Sequence, residues 1–396
     1  MSKRKWISAA VAGLTIGMLA VGHDHWPYKL IGKGYTYLTN PESVQRSMES
    51  HDKMNWYQDQ SGSAAVFEGE RGKLIVHDGY PSLYFDQDGV GISQEQLIVA
   101  TNIALMKPEE RDRALVIGYG TGASSGVAAD HFEHLRIYEI REAMVDLSKA
   151  QFGKESRYVF DRENVDIEYQ DGIVGVESSD NSYNVIFVNI PSPGFKGAEK
   201  IWSVETLQTL KKKLKPGGVM NMWMHLGLGI ESASIMRNTI DAVFDECRTF
   251  AIGAGYYSIS CGDGISDRSI QNINDYPEFH WRFGDEKTDF GDLVRAIEIK
   301  ESSKEWRTTS SINTYNKPLL GAKAHYWPDQ SRIDDQIKFA SLFPPVTIKK
   351  FCEVAMDFQL IDHWDMYCRD ETTPNVEVGF QGQPETTSIA SEDPEE

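Results

Sequence analysis

Cysteine is scarce in this sequence, and no two cysteines have the spacing of a metal site. The chain of 396 residues contains 4 cysteines, Cys247, Cys261, Cys352 and Cys368, and no Cys-x-x-Cys motif. We therefore predict no zinc site and no metal cofactor. In an exported protein the first pairings to test are Cys247 with Cys261 and Cys352 with Cys368, among three connectivities. In the cytoplasm four buried thiols are the default.

Positive charge is also in deficit. Lys and Arg number 40 against 59 Asp and Glu, which gives a net charge of −19. This balance argues against a nonspecific nucleic-acid binder, because neutralising phosphates needs clustered Lys and Arg. The sequence has no internal repeat. Its hydrophobic content of 40% is enough to form a sizeable globular core.

The sequence begins with an apolar run that lacks charge. Residues 3–5 are Lys-Arg-Lys, and residues 6–22 carry no charged side chain. The run is either a single membrane anchor or a secretory signal cleaved before His23. The preceding basic cluster predicts a single pass through a bacterial inner membrane, with the large domain on the periplasmic side. The cytoplasmic side is the alternative.

A glycine-rich turn between two apolar runs is the most informative motif. Residues 114–117 are apolar and lead into Gly118-Tyr119-Gly120-Thr121-Gly122, and the second run, residues 135–138, ends at Glu139. Strand, glycine loop, helix, strand and carboxylate form a nucleotide-binding βαβ unit. The glycines let the backbone approach a ligand, and the carboxylate can accept hydrogen bonds from ribose hydroxyls. Tyr119 and Thr121 are candidates for shaping ligand choice.

Alternating strands and helices continue downstream. The predicted segments are a strand at 165–170 ending at Asp171-Gly172, a strand at 183–188 ending at Asn189, a helix at 204–214 and a strand at 219–223. Such alternation predicts a doubly wound parallel sheet with its ligand at the carboxyl ends of the strands. The Asp171 carboxylate would accept the exocyclic amine of an adenine.

These motifs resemble the spermidine synthases, within the S-adenosylmethionine-dependent methyltransferase-like fold. The matching segments are residues 74–79, the glycine loop, 138–140, 171–172, 189–193 and 214–218. The chain looks closest to a divergent bacterial branch whose members often carry membrane segments. The resemblance implies a Rossmann-like α/β fold with a small N-terminal antiparallel sheet, here preceded by an N-terminal transmembrane helix. It also implies binding of S-adenosylmethionine or decarboxylated S-adenosylmethionine and allows a homodimer.

The resemblance assigns roles to individual residues. Gly118, Gly120, Thr121, Gly122, Glu139, Asp171 and Gly172 would bind the donor, and Gln94, Gln96 and Ser192 would face the substrate. At three single positions and in one three-residue segment, the residue type differs from the family. Thr121 replaces an aspartate that holds the donor amine, and Asn189 replaces the catalytic aspartate. Ser192 replaces a second aspartate, and Gln94-Glu95-Gln96 replaces a polyamine-binding Tyr-His-Glu segment.

These differences bear on chemistry. A protonated amine is no nucleophile, and the amide of Asn189 cannot take its proton. The sequence therefore predicts a protein that binds an adenosyl compound without authentic polyamine synthesis. Our first hypothesis is a divergent transferase in which Asn189 orients an acceptor, as in amino-group methyltransferases. The second is a noncatalytic, membrane-tethered scaffold, in which residues 189–193 are a stiff connector.

The sequence divides into six segments. They are a membrane segment at 1–22, a lead-in at 23–63, a small β cap at 64–92, the Rossmann domain at 93–262, an extension at 263–380 and a disordered acidic tail at 381–396. We expect contacts with the membrane through residues 6–22 and with a protein partner through residues 263–380.

Overall fold

The computed structural model describes eleven stretches of the chain. They are residues 53–59, 62–69, 72–77, 80–86, 94–190, 193, 197–225, 228–253, 256–271, 290–299 and 306–323. The predicted membrane segment at 6–22, Ser192, Cys352, Cys368 and the acidic tail lie outside them. Within these stretches no helix combines the length and apolar character needed to span a bilayer.

The described residues form twelve strands and eight main helices. The strands are β1 Lys53–Asp59, β2 Gly62–Gly69, β3 Gly72–His77, β4 Tyr80–Asp86, β5 Arg113–Ile117, β6 His134–Glu139, β7 Val165–Tyr169, β8 Tyr183–Val188, β9 Leu214–His225, β10 Cys247–Gly253, β11 Tyr256–Cys261 and β12 Glu298–Ile299. The helices are α1 Gln94–Ala104, α2 Ala123–His131, α3 Glu142–Gln151, α4 Gly172–Ser178, α5 Val204–Lys212, α6 Ile230–Asp241, α7 Phe290–Ile297 and α8 Leu319–Lys323.

The first four strands form a separate antiparallel sheet in the order β1-β2-β3-β4. Alternate residues of β2, Ala64 and Val66, are buried together with Ile75 of β3 and with Leu147 and Phe152 of α3 and its C-terminal end. Ala65 and Phe67 of β2 are buried as well, so both faces of this strand are covered. The small sheet therefore packs on α3. It begins at Lys53, inside the segment that the sequence assigned to the lead-in.

The main sheet has eight strands in the order β12-β10-β11-β9-β8-β5-β6-β7. Strands β9, β8, β5, β6 and β7 pair in parallel, whereas β11 pairs antiparallel with both β9 and β10. This order is that of a Rossmann-like methyltransferase or spermidine synthase sheet, which confirms the predicted α/β class. The chain runs outward from β5 to β7 and then crosses to β8. The strand order therefore reverses between β5 and β8, where such sheets bind ligands.

The core is centred on the parallel strands. Leu115 and Val116 of β5 and Ile186 of β8 have no exposed surface, and Phe187 is almost as deeply buried. Burial of consecutive residues means that both faces of these strands are covered, as expected for a doubly wound sheet. The strand tips are consequently held in fixed positions by packing.

The described part of the C-terminal extension belongs to the same body. Strand β12 pairs antiparallel with β10 at the end of the main sheet. Asn313 is fully buried and donates from Nδ2 to the carbonyl oxygens of Glu199 (2.8 Å) and Trp202 (3.1 Å). Its backbone N–H donates to Thr239 Oγ1 on α6 at 2.8 Å. Residues 290–299 and 306–323 are thus integrated with the sheet rather than appended to it.

Polar contacts tie together the amino edge of the sheet. Arg268 Nη1 donates to Glu110 Oε2 at 3.1 Å and to the Leu105 carbonyl at 3.0 Å. Lys215 pairs with Asp112, and its hydrogen bond holds the pKa of that carboxyl below its usual range. Asp112 also lies near Glu133 and His134, in a group with metal-binding residue types. Asp112 is already paired with Lys215, and this ion pair accounts for the carboxylate without a metal ion.

Candidate functional site

Four predicted site residues follow the carboxyl ends of neighbouring strands. Gly118 follows β5, Glu139 ends β6, Asp171 follows β7 and Asn189 follows β8. Parallel pairing of these strands brings all four to one edge of the sheet. The Asn189 N–H donates to the Ile117 carbonyl at 2.8 Å, so β8 and the start of the glycine loop are in contact.

Glycine is present at the three loop positions for different structural reasons. Their φ angles are +92° at Gly118, +57° at Gly120 and +80° at Gly122, a region that side chains rarely adopt. A Cβ at Gly118 would lie 2.5 Å from the Asn189 carbonyl oxygen, and one at Gly122 would lie 2.5 Å from the Tyr119 hydroxyl oxygen. A Cβ at Gly120 would meet nothing within 4 Å. Packing explains the outer glycines, whereas Gly120 faces open space that a ligand can fill.

The Glu139 carboxylate is turned toward the glycine loop. Its Oε2 accepts the Tyr119 N–H at 2.8 Å, and its Oε1 accepts the Arg141 N–H at 2.9 Å. Burial raises the pKa of Glu139 above its usual value, and the backbone donors act in the opposite direction. The Gly120 N–H also faces the carboxylate, and the lone-pair site that these backbone donors leave open can accept a hydrogen bond from a diol.

Tyr119 and Thr121 face the interior of the protein. Tyr119 is fully buried, its hydroxyl lies 3.1 Å from Ser148 Oγ, and burial raises its pKa to about 12. Ser148 Oγ also donates to the Thr121 carbonyl at 2.6 Å. Thr121 is 2% exposed, and its Oγ1 accepts the Ala123 N–H at 3.4 Å. The interpretation of Tyr119 as a ligand-selecting side chain was therefore wrong, because its ring supports the loop from beneath.

Asp171 caps the helix that follows β7. Its Oδ1 accepts N–H groups of Ile173 (2.8 Å) and Val174 (3.4 Å), as an N-cap residue does. Gly172 is needed for packing, because a Cβ there would lie 2.5 Å from Ile117 Cγ2. The Asp171 side chain is exposed, and no described residue donates to its Oδ2. That oxygen is free to accept an amine.

Asn189 is fixed between two elements. Its Nδ2 donates to Ser124 Oγ on the first turn of α2 at 2.7 Å. The next carbonyl, of Ile190, accepts the Trp223 Nε1–H at 2.9 Å. The Trp223 ring lies 6.0 Å from that of Trp202 and 6.4 Å from that of Tyr256, between centroids. Aromatic rings therefore line the side of the site beyond Asn189.

The segment Gln94-Glu95-Gln96 forms the first turn of α1. Gln96 is buried, and the side chain of Gln94 lies outside the described part. The Glu95 side chain is half-buried, and its Oε2 atom is fully buried without a hydrogen-bond partner. Burial raises the pKa of Glu95 to about 7. The sequence analysis assigned Gln94 and Gln96 to the substrate and did not assign Glu95. The pattern that could have identified Glu95 is an acidic residue just before an apolar helical run.

Cys247 and Cys261 are joined by a disulfide bond. They lie directly opposite each other in the pairing of β10 with β11. Cys261 also lies opposite Met220, near the start of β9. The bond is thus away from the carboxyl edge that holds the candidate site.

Comparisons with known proteins agree with this geometry. Residues 91–257 match the family described as Spermine/spermidine synthase domain. Polyamine aminopropyltransferase 2 of Hyperthermus butylicus is 28% identical over 142 residues, 35% of this chain and 47% of that protein. Spermine synthase SPE4 of Saccharomyces cerevisiae is 27% identical over 187 residues, 44% of this chain and 59% of that protein. The chain thus spans about half the length of these relatives.

One solved structure gives a further comparison. The crystal structure of spermidine synthase from Thermotoga maritima aligns 73% of this chain with 87% of that one, at 15% identity and a TM-score of 0.47. The family match and the strand order together identify the sheet-forming region. Residues 91–257 of this chain are a spermine/spermidine synthase domain on a methyltransferase-like fold.

Proposed function

We propose that this domain binds decarboxylated S-adenosylmethionine at the carboxyl edge of its sheet and transfers the aminopropyl group to an amine. The observation that carries the proposal is the Glu139 carboxylate, held against the glycine loop beside the open space at Gly120. The relatives named as an aminopropyltransferase and a spermine synthase support the same reaction type.

In this proposal each polar group at the edge has a distinct role. Glu139 accepts hydrogen bonds from the two ribose hydroxyls, which is the usual task of an acid at this position. Asp171 accepts the adenine amine at Oδ2 while Oδ1 keeps its helix-capping bonds. Gly120 lets the ligand approach the backbone. The aromatic rings of Trp223 and Tyr256 offer faces to a cationic or apolar acceptor.

Methyl transfer from S-adenosylmethionine is the second candidate function. Asn189 favours it, because Nδ2 is engaged by Ser124 whereas no described residue donates to Oδ1. An open amide oxygen can accept a hydrogen bond from a neutral amine and orient its lone pair toward a donor. Aminopropyl transfer releases methylthioadenosine and methyl transfer releases S-adenosylhomocysteine, so the products separate the two candidates.

Calorimetric titration tests donor binding. We expect wild-type protein to bind decarboxylated S-adenosylmethionine, and Glu139→Gln to weaken binding at least about tenfold, since charge-assisted hydrogen bonds contribute about 1.5–3 kcal/mol each. Glu139→Gln keeps the side-chain shape, and Glu163→Ala, an exposed acid before β7, is the control. Absence of binding to decarboxylated S-adenosylmethionine, S-adenosylmethionine and methylthioadenosine would overturn the proposal and leave a scaffold on the same fold.

A further inference from the structure

We infer that Glu95 is the proton acceptor that prepares the attacking amine, in place of the residue at position 189. The inference rests on the proposed function and extends it by naming the base. Its starting point is an observation that donor binding does not explain. Glu95 Oε2 is buried without a hydrogen-bond partner, whereas buried carboxylate oxygens in folded proteins are nearly always paired.

Helix α1 brings Glu95 to the edge of the sheet that carries the site. At the other end of α1, Arg111 Nη2 donates to the carbonyls of Ile103 (3.3 Å) and Met106 (3.0 Å). The charge of Arg111 also acts on His131, the last residue of α2. The two helices therefore end at the same place, the amino edge. Since α2 starts at the glycine loop, α1 starts near the carboxyl edge.

A second contact fixes the height of α1 against the sheet. Asn102 Oδ1 accepts a hydrogen bond from Ser260 Oγ on β11 at 2.7 Å, and Ser260 is paired with Asn221 in β9. Glu95 lies about two turns before Asn102, roughly 10 Å farther toward the carboxyl edge. Helix α1 packs on α2, whose Ser124 holds Asn189. Glu95 and Asn189 therefore lie at the same edge, and the helix that carries Glu95 touches the helix whose Ser124 holds Asn189.

The surroundings of Glu95 suit a base rather than an ion-paired acid. Among residues whose side chains are described, the charged or titratable ones on the elements packed against α1 are Asp130 and His131 at the far end of α2, Lys215 near the start of β9, Arg248 on β10 and Arg295 on α7; His225 also belongs to β9, and Asp292 to α7. No described side chain donates to Glu95, and Arg248 is already bonded to Glu298. Burial alone accounts for the raised pKa of about 7.

The proposed step conserves atoms and charge. The Glu95 carboxylate takes one proton from the primary ammonium of the acceptor and becomes a neutral carboxylic acid. The freed nitrogen lone pair attacks the propyl methylene carbon bound to the sulfonium and forms a C–N bond. The C–S bond breaks, and its electron pair stays on sulfur to give methylthioadenosine. The product is a secondary ammonium, and Glu95 later releases its proton to water.

The inference also explains how transfer can proceed with asparagine at position 189. An amide takes no proton, whereas a carboxyl group with a pKa near the working pH is an efficient base. Asn189 then orients the acceptor and Glu95 accepts its proton. The two tasks, combined in one aspartate in the resembling family, are divided between α1 and the tip of β8.

The test compares Glu95→Gln with wild type, using decarboxylated S-adenosylmethionine with 1,4-diaminobutane and with spermidine as acceptor probes. Methylthioadenosine release reports turnover, and calorimetry with the donor alone reports binding. We expect Glu95→Gln to bind the donor as wild type does and to lower kcat on the order of 100-fold. The wild-type kcat/KM should rise with pH through an apparent pKa near 7, and this acid limb should vanish in the variant.

Further variants separate catalysis from folding. Glu95→Asp, which keeps a carboxyl group, should recover part of the rate, and adding Asn189→Asp to Glu95→Gln should restore a base at the second position. Glu163→Gln is the control. Turnover by Glu95→Gln equal to wild type would overturn the inference while leaving the proposed function intact. A rate loss in Glu95→Gln that tracks lost donor binding would also overturn the inference alone. Donor binding without methylthioadenosine release by wild type would overturn both the inference and the proposed function.

Discussion

Asn189 donates a hydrogen bond from Nδ2 to the hydroxyl oxygen of Ser124 at 2.7 Å. The bond joins the tip of β8 to the first turn of α2, so the amide cannot rotate freely. Because Ser124 is buried, the contact is shielded from water and is worth more than an exposed one. The side chain that replaces the catalytic aspartate of the resembling family is thus held in place.

We expect Asn189→Ala to lower kcat/KM for the acceptor about tenfold, since one oriented hydrogen bond contributes about 1 kcal/mol or more. Donor affinity should not change, because the variant leaves Glu139 and the loop intact. Steady-state kinetics with varied acceptor, beside donor titration, measures both effects. Ser124→Ala should show a smaller loss of the same kind. A change in donor affinity as large as the rate loss would contradict this role.

The middle glycine of the loop gives a second prediction. Gly120→Ala should fold, because its Cβ meets no atom within 4 Å, with a cost of about 1 kcal/mol for the positive φ. The new methyl group occupies the space assigned to the donor, so affinity should fall at least about tenfold. Gly264→Ala is a matched control, since its φ is +72° and its Cβ also meets nothing. Equal donor affinity in the two variants would contradict our placement of the ligand.

The sequence was sufficient to predict the sheet, but it did not predict where several side chains point. The strands 114–117, 135–138 and 183–188 stand out because each is mostly apolar, as strands covered on both faces must be. Residues 215–218, which lie between the helix predicted at 204–214 and the strand predicted at 219–223, instead belong to β9, where Gly217 has a φ of +72°. The pairing with β8 passes from Leu214 to Val219, so these four residues form an irregularity within the strand.

Side-chain direction was the harder problem. Tyr119 reads as a loop residue, yet its ring fills space beneath Gly122, because Ser148 of α3 bonds its hydroxyl. Glu95 reads as an ordinary first-turn acid, which is favourable at a helix N-terminus. Its isolation depends on how α1 packs against α2 and the sheet, and no local pattern encodes that. The positions of the Glu139 and Asp171 carboxylates were easier to predict, since each lies at or just after the end of a strand.

His131 predicts a loss of stability in mild acid. Burial lowers the pKa of its imidazole to about 4, so below about pH 6.5 the unfolded chain binds a proton that the folded protein resists. The free energy of unfolding should therefore fall between pH 7 and pH 4.5, by up to about 3 kcal/mol from this group. Urea titrations of His131→Gln should show a weaker pH dependence than wild type.

The disulfide gives a prediction about stability. Cys247 and Cys261 are separated by 14 residues, and closing a loop of that size stabilises a protein by about 3 kcal/mol in the chain-entropy model. We expect the double variant Cys247→Ser/Cys261→Ser to melt several degrees below wild type. Reduced wild type should melt at the temperature of the variant. Equal melting temperatures with and without reductant would contradict a bond that stabilises the fold.

The same bond tests the compartment. We propose that residues 6–22 place the domain on the periplasmic side, where disulfides persist. Alkylation of thiols in intact cells before lysis should then leave Cys247 and Cys261 unmodified. Labelling of both residues would instead indicate the reducing cytoplasm.

The ion pairs of Arg268 and Lys215 all lie at the amino edge, opposite the strand tips. The charges that tie the fold together are thus kept apart from the polar side chains at the tips. Polar side chains at the tips that take no part in packing can then be exchanged during evolution at little cost to folding. New chemistry can arise on this scaffold by replacing a few side chains, while the architecture that displays them is inherited unchanged.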